Sequence, residues 1–336
     1  ATVCDVMPLR KLNRLISITA LKEFNINDNS AFKELYNLNN RKNKICIDDL
    51  GYLIGPILNS GGRLGKSNYA TELLSTNNYE VIKQKSFELV NLNIKRREIE
   101  NTILNSINLD EIKKNNEDVI IHYDPNINEG LIGIIAARLK EHFDKPTIVV
   151  TSSDNLLKSS ARSTNYYNIG KLVKRLLDHN IILSGGGHNM AAGFIFKKEN
   201  LLNLKNFISN DFLNNSTFNS NIFEYDAEIL STGFNKDFFY DIKKIEPFGN
   251  GNPLPTFFFR ELKVIKSKIL DKRHISCILK SKIGVSINSI SFNSLNSKIG
   301  EHLLNYKKNF NVVGQINENF WNNKKTLQLI IKDITL

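Results

Sequence analysis

Apolar residues recur with a helical period over one long stretch of this chain. Between Tyr79 and Asn115 there is no Pro or Gly. Apolar residues recur along this stretch at Phe87, Val90 and Ile94 and again at Ile99, Ile103 and Ile107. Their spacing predicts a long amphipathic helix. Because a helix of this length is unusual inside a globular domain, we interpret residues 79–116 as a connector between domains.

On both sides of the connector the pattern is that of an α/β protein. Residues 1–78 combine short apolar runs with a glycine-rich turn at 55–65 and a helical pattern at 67–74, and we interpret them as an incomplete α/β piece. In the segment 117–209, strands are predicted near 118–123, 146–151, 156–161 and 192–196, and helices near 131–143 and 169–178. The first two strands and the helix between them form a β-α-β unit, so we expect these strands to pair in parallel.

The last third of the chain consists of short strands. A polar run at 210–221, rich in Asn and Ser, predicts a linker. The strands predicted after it lie at 222–230, 256–268, 274–279, 283–292, 310–316 and 326–334, with one helix near 295–304. This order favours a small Greek-key barrel over residues 222–336, of which the OB-fold is a common nucleic-acid-binding version.

Composition bounds the class of protein. The chain has 336 residues, 41% of them hydrophobic, which suits two or three cores. It has no run of about 18 apolar residues that could span a bilayer. Its three cysteines have no C-x-x-C spacing, and its first residues lack a signal-peptide pattern. We therefore expect a cytoplasmic protein with no disulfide framework and no membrane segment.

Positive charge is concentrated in the last two thirds of the chain. The net charge is +11, yet residues 1–129 balance 17 basic against 17 acidic side chains, so the excess lies in 130–199 and 222–336. Clustered Lys and Arg favour a polyanionic partner such as nucleic acid, because binding releases counterions from the phosphates. The alternative is a coding bias that enriches Lys and Asn without a functional consequence.

Two motifs of the α/β segment carry groups that bind phosphate. The first is Gly185, Gly186, Gly187 and His188. Its glycines allow backbone amides to approach an anion, and its imidazole can donate to one. The second is Ser160 and Arg162 at the end of a predicted strand, where a hydroxyl and a guanidinium can converge on an anion. The alternatives are a tight turn with a packed histidine and a surface turn.

Three residues of the first segment add to these candidates. Arg63 follows Asn59 in the glycine-rich turn. A tight turn of this kind can hold one charged side chain in a fixed position. Asp5 ends an apolar run, a position where α/β folds often carry metal ligands. One carboxylate cannot hold a catalytic metal without further ligands.

In their order along the chain, the motifs resemble those of the RecJ family of single-strand-specific DNA exonucleases, which belongs to the DHH phosphoesterase superfamily. The resemblance covers essentially the whole chain. Residues 2–9 resemble the motif T-V-A-D-V-V-P-L, 55–65 resemble G-P-x-x-N-x-x-G-R-L-G, and 128–139 resemble a G-V-I-G-I-V-A-S-R-L helix. Residues 160–163 resemble S-x-R-S, 185–193 resemble the G-G-H-x-x-A-A-G signature of the DHH-associated domain, and 246–253 resemble the E-P-F-G-x-G-N-P entry to the OB-fold.

The resemblance implies a fold and a set of site residues. The fold would be the C-terminal part of a DHH domain over 1–78, the connector helix, a DHH-associated α/β domain over 117–209 and an OB-fold barrel. A site for two Mn²⁺ or Mg²⁺ ions would have Asp5 as a metal ligand and catalytic residue. The phosphate or DNA contacts would be Asn59, Arg63, Ser160, Arg162, Gly185, Gly186, Gly187 and His188. In the barrel, the candidates for DNA contacts are Phe257, Phe259, Trp321, Lys324 and Lys325.

The chain departs from the family pattern at two places. Where the family commonly has Trp-His before the 128–139 helix, this chain has Ile127-Asn128. The H-x-D-x-D-G element, a further Asp and the D-H-H triplet, which supply most metal ligands, are absent and would lie upstream of Ala1. Asp178-His179-Asn180 stands in the wrong context to replace them.

The function implied by the resemblance is 5′→3′ exonucleolytic degradation of single-stranded DNA in repair and recombination. This chain would be the substrate-binding portion, with an incomplete metal site and no activity of its own. We expect a monomer that binds single-stranded DNA, with a single-strand-binding protein or a helicase as candidate protein partners. Two alternatives remain open: a DHH-type phosphodiesterase for oligoribonucleotides or cyclic dinucleotides, and a non-catalytic module that binds single strands.

Overall fold

A computed structural model describes residues 2–42, 44–217, 223–305, 309–321 and 324–335, with the side chains of 320 and 321 excepted. The chain forms two compact units, one of residues 25–220 and the other of residues 1–24 together with 221–336. The domain boundaries expected from the sequence stay a prediction. Within the described ranges, no helix combines the length and apolar character needed to cross a bilayer.

The secondary structure is helical up to residue 115, mixes strands and helices from residue 120 to residue 215, and is mainly strand after residue 256. The helices are α1 (Lys11–Glu23), α2 (Ser30–Leu38), α3 (Gly55–Arg63), α4 (Tyr69–Ser75), α5 (Tyr79–Ser106), α6 (Leu109–Asn115), α7 (Ile132–Phe143), α8 (Ile169–Asp178), α9 (Leu201–Asn215), α10 (Lys236–Lys243) and α11 (Lys298–Asn305). The strands are β1 (Ile120–Tyr123), β2 (Thr147–Ser153), β3 (Leu156–Arg162), β4 (Ser184–Gly187), β5 (Ala191–Phe196), β6 (Ala227–Glu228), β7 (Phe257–Leu270), β8 (His274–Ser281), β9 (Ser286–Ser291), β10 (Phe310–Trp321) and β11 (Lys324–Thr335). Short 3₁₀ turns lie at Ile26–Asp28, Lys198–Asn200 and Ser231–Gly233, and a π-helical turn at Asp49–Ile54.

The glycine-rich segment 55–65 is helical up to Arg63, so the turn predicted over the whole segment is wrong. It forms α3, and the part of 1–78 that the structure describes contains helices and turns but no strand. A Cβ atom on Gly61 would lie 2.6 Å from the carbonyl oxygen of Lys66 and 3.2 Å from a methyl carbon of Leu89. The absent side chain therefore permits close packing of α3 on α5, and this packing outweighs the low helix propensity of glycine.

The predicted connector helix is two helices. α5 ends at Ser106, and Ile107 is extended, with ψ 127°. Asn108 then begins α6 by accepting a hydrogen bond from the amide of Glu111 over 3.1 Å. Since α5 packs against α2, α3, α4 and α7, it belongs to the interior of the unit formed by residues 25–220.

The α/β sheet has the strand order β1-β2-β3-β5-β4. β1 and β2 pair in parallel, as expected from the β-α-β pattern, and the remaining neighbours are antiparallel. α8 and α9 pack on one apolar face of this sheet, and α7 packs against β2 and β3 with a separate apolar cluster. α9 continues to Asn215, so the first half of the linker predicted at 210–221 is helical; residues 218–222 lie outside the described ranges.

The C-terminal strands close into a barrel. The order β10-β11-β9-β8-β7 is completed by pairing of β10 with β7, β9 pairs in parallel with β11, and α11 connects β9 to β10. This is the predicted OB-fold topology. The interior is apolar and includes Phe257, Phe259 and Leu279. The sequence predicts a strand at 222–230. Of the residues in this range that the structure describes, only the two of β6 form a strand.

Residues 2–10 dock on the segment that precedes the barrel. The amide of Leu9 donates to the Asn250 carbonyl over 2.6 Å, and the Asn250 side chain donates to the Val6 carbonyl over 2.7 Å. Arg10 Nε donates to the Gly251 carbonyl over 2.8 Å. The two motifs at 2–9 and 246–253 thus form one structure, although they lie more than 230 residues apart in the sequence.

A buried ionic network ties α8 to α9 and is testable. Asp211, 6% exposed, accepts from Arg175 and from the Tyr167 hydroxyl. We expect Asp211→Ala to lower the free energy of unfolding by about 2–3 kcal/mol, somewhat less than for a fully buried pair because Arg175 keeps part of its exposure. Urea denaturation of the full chain measures this. Glu199→Ala, which removes the exposed pair with Lys197, is the control and should change stability by about 0–1 kcal/mol; equal effects would contradict the network's role.

Candidate anion-binding site

Four of the predicted site residues line one pocket of about 460 Å³. They are Asn59, Arg63, Ser160 and Arg162. The other lining residues are Gly62, Glu129, Gly130, Ile132, Gly133, Lys158 and Ser159. The pocket therefore forms where the end of α3, the start of α7 and strand β3 converge within one compact unit.

The strand period places the polar side chains of β3 in the pocket. Leu157, Ser159 and Ala161 are buried, and the alternate residues Lys158, Ser160 and Arg162 are half-buried on the opposite face. Because α7 packs on this face, the start of that helix lies against the ends of the side chains.

Glycines at and just before the N-terminus of α7 make the convergence possible. A Cβ atom on Gly133 would lie 3.0 Å from Arg162 Nη2 and 3.1 Å from Ser160 Oγ. A Cβ atom on Gly130 would lie 2.4 Å from the carbonyl oxygen of Arg63, too close for any side chain. The start of α7 lies so close to α3 and β3 that Gly130 and Gly133 leave no room for a side chain without displacing a neighbour.

The two guanidinium groups of the pocket are bound to neutral oxygens. Arg162 Nη1 donates to Ser160 Oγ over 3.1 Å and to the Ala161 carbonyl over 2.8 Å, and Arg63 Nη1 donates to the Gly130 carbonyl over 3.0 Å. Neither forms an ion pair with a carboxylate among the described residues. A guanidinium has five N–H donors, so each group keeps donors that can bind an anion.

Burial and mutual repulsion make this cationic pair unfavourable without an anion. Burial lowers the pKa of Arg162, and the charge of Arg63 lowers it further. Burial also lowers the pKa of Arg63, although the charge of Glu100 partly opposes this shift. Both groups remain charged at neutral pH because arginine is intrinsically so basic. A bound anion would relieve both the repulsion and the missing solvation.

Glu100 provides a buried negative charge near the pocket. It is 5% exposed and accepts from Arg96 Nη1 over 2.8 Å and from Arg138 Nε over 2.9 Å. The pair with Arg138 joins α5 to α7, and Arg96 is also bonded to Asn93. Two arginines already neutralise this carboxylate, so it leaves the pocket net cationic.

His188 and the three glycines before it are not among the lining residues of the pocket. Gly185, Gly186 and Gly187 form the exposed edge strand β4, and the amide of exposed His188 donates to the Ala191 carbonyl over 2.8 Å. Gly185 and Gly187 are required for packing, because their Cβ atoms would lie 2.6 Å from Phe194 Cβ and 2.4 Å from the Ala191 carbonyl oxygen. Their role in phosphate binding stays a prediction.

Gly186 faces the other side of the sheet, where a Cβ atom would meet nothing within 4 Å. It pairs with Gly193 on β5, which pairs with Ser160 on β3. A strip of bare backbone therefore leads across the sheet from Ser160 to its edge.

The departure Ile127-Asn128 has a structural explanation. Ile127 is buried beside α7, and its carbonyl accepts from Thr151 Oγ1 over 2.6 Å. Asn128 Oδ1 accepts from the Gly130 amide over 2.8 Å. Neither residue lines the pocket, so together they stabilise the turn that leads into α7.

Asp5 is exposed in a turn formed by residues 2–6, not at the end of a strand as the sequence suggested. Among the residues the structure describes, no three His, Cys, Asp or Glu side chains converge on a position for a metal ion. The described residues therefore do not fit a two-metal centre by themselves. Asp5 as a metal ligand and catalytic residue stays a prediction.

The predicted aromatic platforms of the barrel are partly wrong. Phe257 and Phe259 are 5% and 1% exposed and lie in the core, so their rings are not available to stack on bases. The side chain of Trp321 lies outside the described residues. Lys324 and Lys325 are exposed at the start of β11, and Lys325 pairs with Glu318 over 3.1 Å.

The structure reveals a set of lysines on the barrel that sequence reasoning missed. Lys263 of β7 stands opposite Lys280 of β8, and Lys266 and Lys268 stand opposite Ile278 and Ser276 on the same outer face. All four lysines of this β7–β8 lysine face are exposed, and none is ion-paired with a described residue. The alternation Lys266-Ser267-Lys268 indicates in the sequence that two of these lysines share one face. The register shift between Val264 and Lys266 breaks the period of two, so the same pattern does not predict that Lys263 lies on this face.

Comparisons with known proteins agree with this architecture. The DHHA1 domain family matches residues 116–213, and the RecJ OB domain family matches residues 225–333. The single-stranded-DNA-specific exonuclease RecJ of Haemophilus influenzae is 29% identical over 98% of this chain and 59% of its own length. RecJ of Bacillus subtilis is 25% identical over 99% of this chain and 42% of its own length. The chain therefore carries a DHHA1 domain and a RecJ OB domain and is similar to RecJ proteins over nearly its whole length.

The fold of RecJ extends over the whole chain. The crystal structure of RecJ with Mn²⁺ from Thermus thermophilus matches 100% of this chain with a TM-score of 0.81 and 22% identity, and the chain covers 48% of it. The chain spans about half the length of the RecJ proteins it matches.

Proposed function

We propose that this chain is the substrate-binding portion of a RecJ-type 5′→3′ exonuclease and that its pocket holds the 5′-terminal phosphate of single-stranded DNA. The observation that supports this most directly is the convergence of Arg63, Ser160 and Arg162 on one pocket, where neither arginine is ion-paired with a carboxylate of the described residues. A terminal phosphate carries up to two negative charges and three oxygens that accept hydrogen bonds. Two guanidinium groups and a hydroxyl complement it in charge and in donors.

The bare strip from Ser160 through Gly193 to Gly186 supports a strand rather than a free phosphate as the ligand. A nucleotide attached to a phosphate in the pocket needs open space beside it, and a backbone without side chains provides that space. The amide-rich edge and His188 would then contact the next part of the strand.

The β7–β8 lysine face supports a role of the barrel in holding a more distant part of the DNA. Single strands bind cationic grooves without sequence preference, and the side chains around the lysines include exposed Ile265 and Ile269. Lys324 and Lys325 would extend this contact.

Hydrolysis would need Mn²⁺ or Mg²⁺, and RecJ structures have been solved with each. Such ions activate water and stabilise the leaving oxygen. Since the described residues do not form a metal centre, we expect this chain to bind single-stranded DNA without cleaving it. The proposal also includes a cytoplasmic monomer, with a single-strand-binding protein or helicase as its protein partner.

Substitution of Arg162 tests the phosphate pocket. Arg162→Ala should lower the affinity for a 5′-phosphorylated oligonucleotide by about 2–3 kcal/mol, and much less for the same strand with a 5′-hydroxyl, because only the phosphate binds the guanidinium. Titration of the full chain with both strands measures this. Lys174→Ala, an exposed cation of the same unit outside the pocket, is the control. Equal loss on both strands, or a large drop in melting temperature, would show that Arg162 only holds the fold.

Substitution of Lys266 and Lys268 tests the β7–β8 lysine face. In Lys266→Ala with Lys268→Ala, the slope of log affinity for single-stranded DNA against log salt should fall by about 1.4, since each lost phosphate contact contributes about 0.7. The preference for a 5′-phosphate should be unchanged. Lys197→Ala with Lys244→Ala removes two exposed lysines that are ion-paired and is the control. An unchanged slope would show that the DNA does not contact this face.

A further inference from the structure

The wall of the pocket contains an ion pair, and the binding of a terminal phosphate does not explain why it is there. Lys158 Nζ lies 2.8 Å from Glu129 Oε2, and both residues line the pocket. The two side chains are 41% and 51% exposed. A carboxylate in an anion-binding pocket opposes the ligand, so its presence requires a reason.

The position of Lys158 on β3 relates it to the phosphate contacts. Lys158, Ser160 and Arg162 share one face of the strand. Alternate residues of a strand are about 6.7 Å apart. This distance is on the scale of the separation between successive phosphates in an extended nucleotide chain. Ser160 and Arg162 bond to each other and form one contact, and Lys158 lies one step further along the strand.

The pair is easily opened. An ion pair with this exposure contributes little to stability, because water screens both charges and two long side chains must be held in place. The carboxylate keeps a second partner when the lysine leaves, since Ser153 Oγ donates to Glu129 Oε2 over 3.3 Å. The hydrogen bond and charge of Lys158 lower the pKa of Glu129, so this group is charged at neutral pH.

We propose that Lys158 binds the second phosphate of the strand and that Glu129 is the counter-ion displaced by that phosphate. This inference rests on the proposed function of the pocket and adds a specificity to it. Without a second phosphate, Lys158 stays paired with Glu129 and contributes nothing to binding. A strand with two or more phosphates gains the contact with Lys158, and a mononucleotide, the product of exonucleolytic cleavage, does not. The pair therefore favours retention of a strand over retention of a released nucleotide.

Three small ligands test the proposal on the full chain by calorimetric titration. They are 5′-phosphorylated thymidine, the 5′-phosphorylated dithymidine dinucleotide, and the same dinucleotide with a neutral methylphosphonate linkage in place of the second phosphate. Lys158→Met should weaken binding of the dinucleotide about tenfold, the effect of one charged hydrogen bond, and leave the other two ligands within about twofold. Glu129→Gln should strengthen binding of the dinucleotide more than that of the other two ligands, because it frees Lys158 for the second phosphate. In a Lys158→Met background, Glu129→Gln should affect all three ligands alike, because only the repulsion by the carboxylate is then removed.

The matched control is the exposed pair Lys197 and Glu199, whose corresponding Lys197→Met and Glu199→Gln variants should leave all three ligands unaffected. Equal weakening of all ligands by Lys158→Met, or no weakening of any, would overturn the inference, as would weaker dinucleotide binding in Glu129→Gln. Failure of the proposed function gives a different result: wild-type protein would not bind the phosphorylated mononucleotide, or Arg162→Ala would leave that binding unchanged.

Discussion

The central constraint of the structure is that one half-buried pocket holds two guanidinium groups, neither of which is ion-paired with a carboxylate in the part of the chain that the structure describes. Burial lowers the pKa of both guanidinium groups, and the charge of Arg63 lowers the pKa of Arg162 further. A protein that served only stability would pair or expose such groups. The surrounding fold keeps them in place through hydrogen bonds to neutral oxygens and through the glycine contacts of α7. In the proposed function, a bound phosphate would offset the cost of this arrangement.

The same constraint explains why three distant segments carry the site. α3 supplies Arg63, β3 supplies Arg162 and Ser160, and the start of α7 lies against both. Only glycine fits at Gly130, and a side chain at Gly133 would displace Arg162 or Ser160. A binding pocket at the convergence of three packed elements is more rigid than one on a single loop, which suits recognition of a small group such as a phosphate.

Local periodicity predicted much of the fold, because helices and strands of this chain have clear apolar patterns. The β-α-β unit of β1, α7 and β2 and the strands of the barrel follow from it. Tertiary packing determines the features of the fold that this periodicity does not predict. Gly61 indicates a turn in the sequence, but in the structure it lets α3 approach α5. Phe257 and Phe259 appeared as candidates for base stacking, yet both point into the barrel. Residues 2–10 and 249–252 meet only in the folded chain, and no local pattern predicts that contact.

The most direct test of the central claim is to observe the two arginines while a phosphate binds. The measurement is an NMR titration of the Nε–H signals of Arg63 and Arg162 in the full chain, assigned through Arg63→Lys and Arg162→Lys. Addition of 5′-phosphorylated thymidine should shift both signals together, with one dissociation constant, and the 5′-hydroxyl nucleoside should shift neither. Signals that stay unchanged with the phosphorylated ligand, or that respond equally to both ligands, would contradict the account.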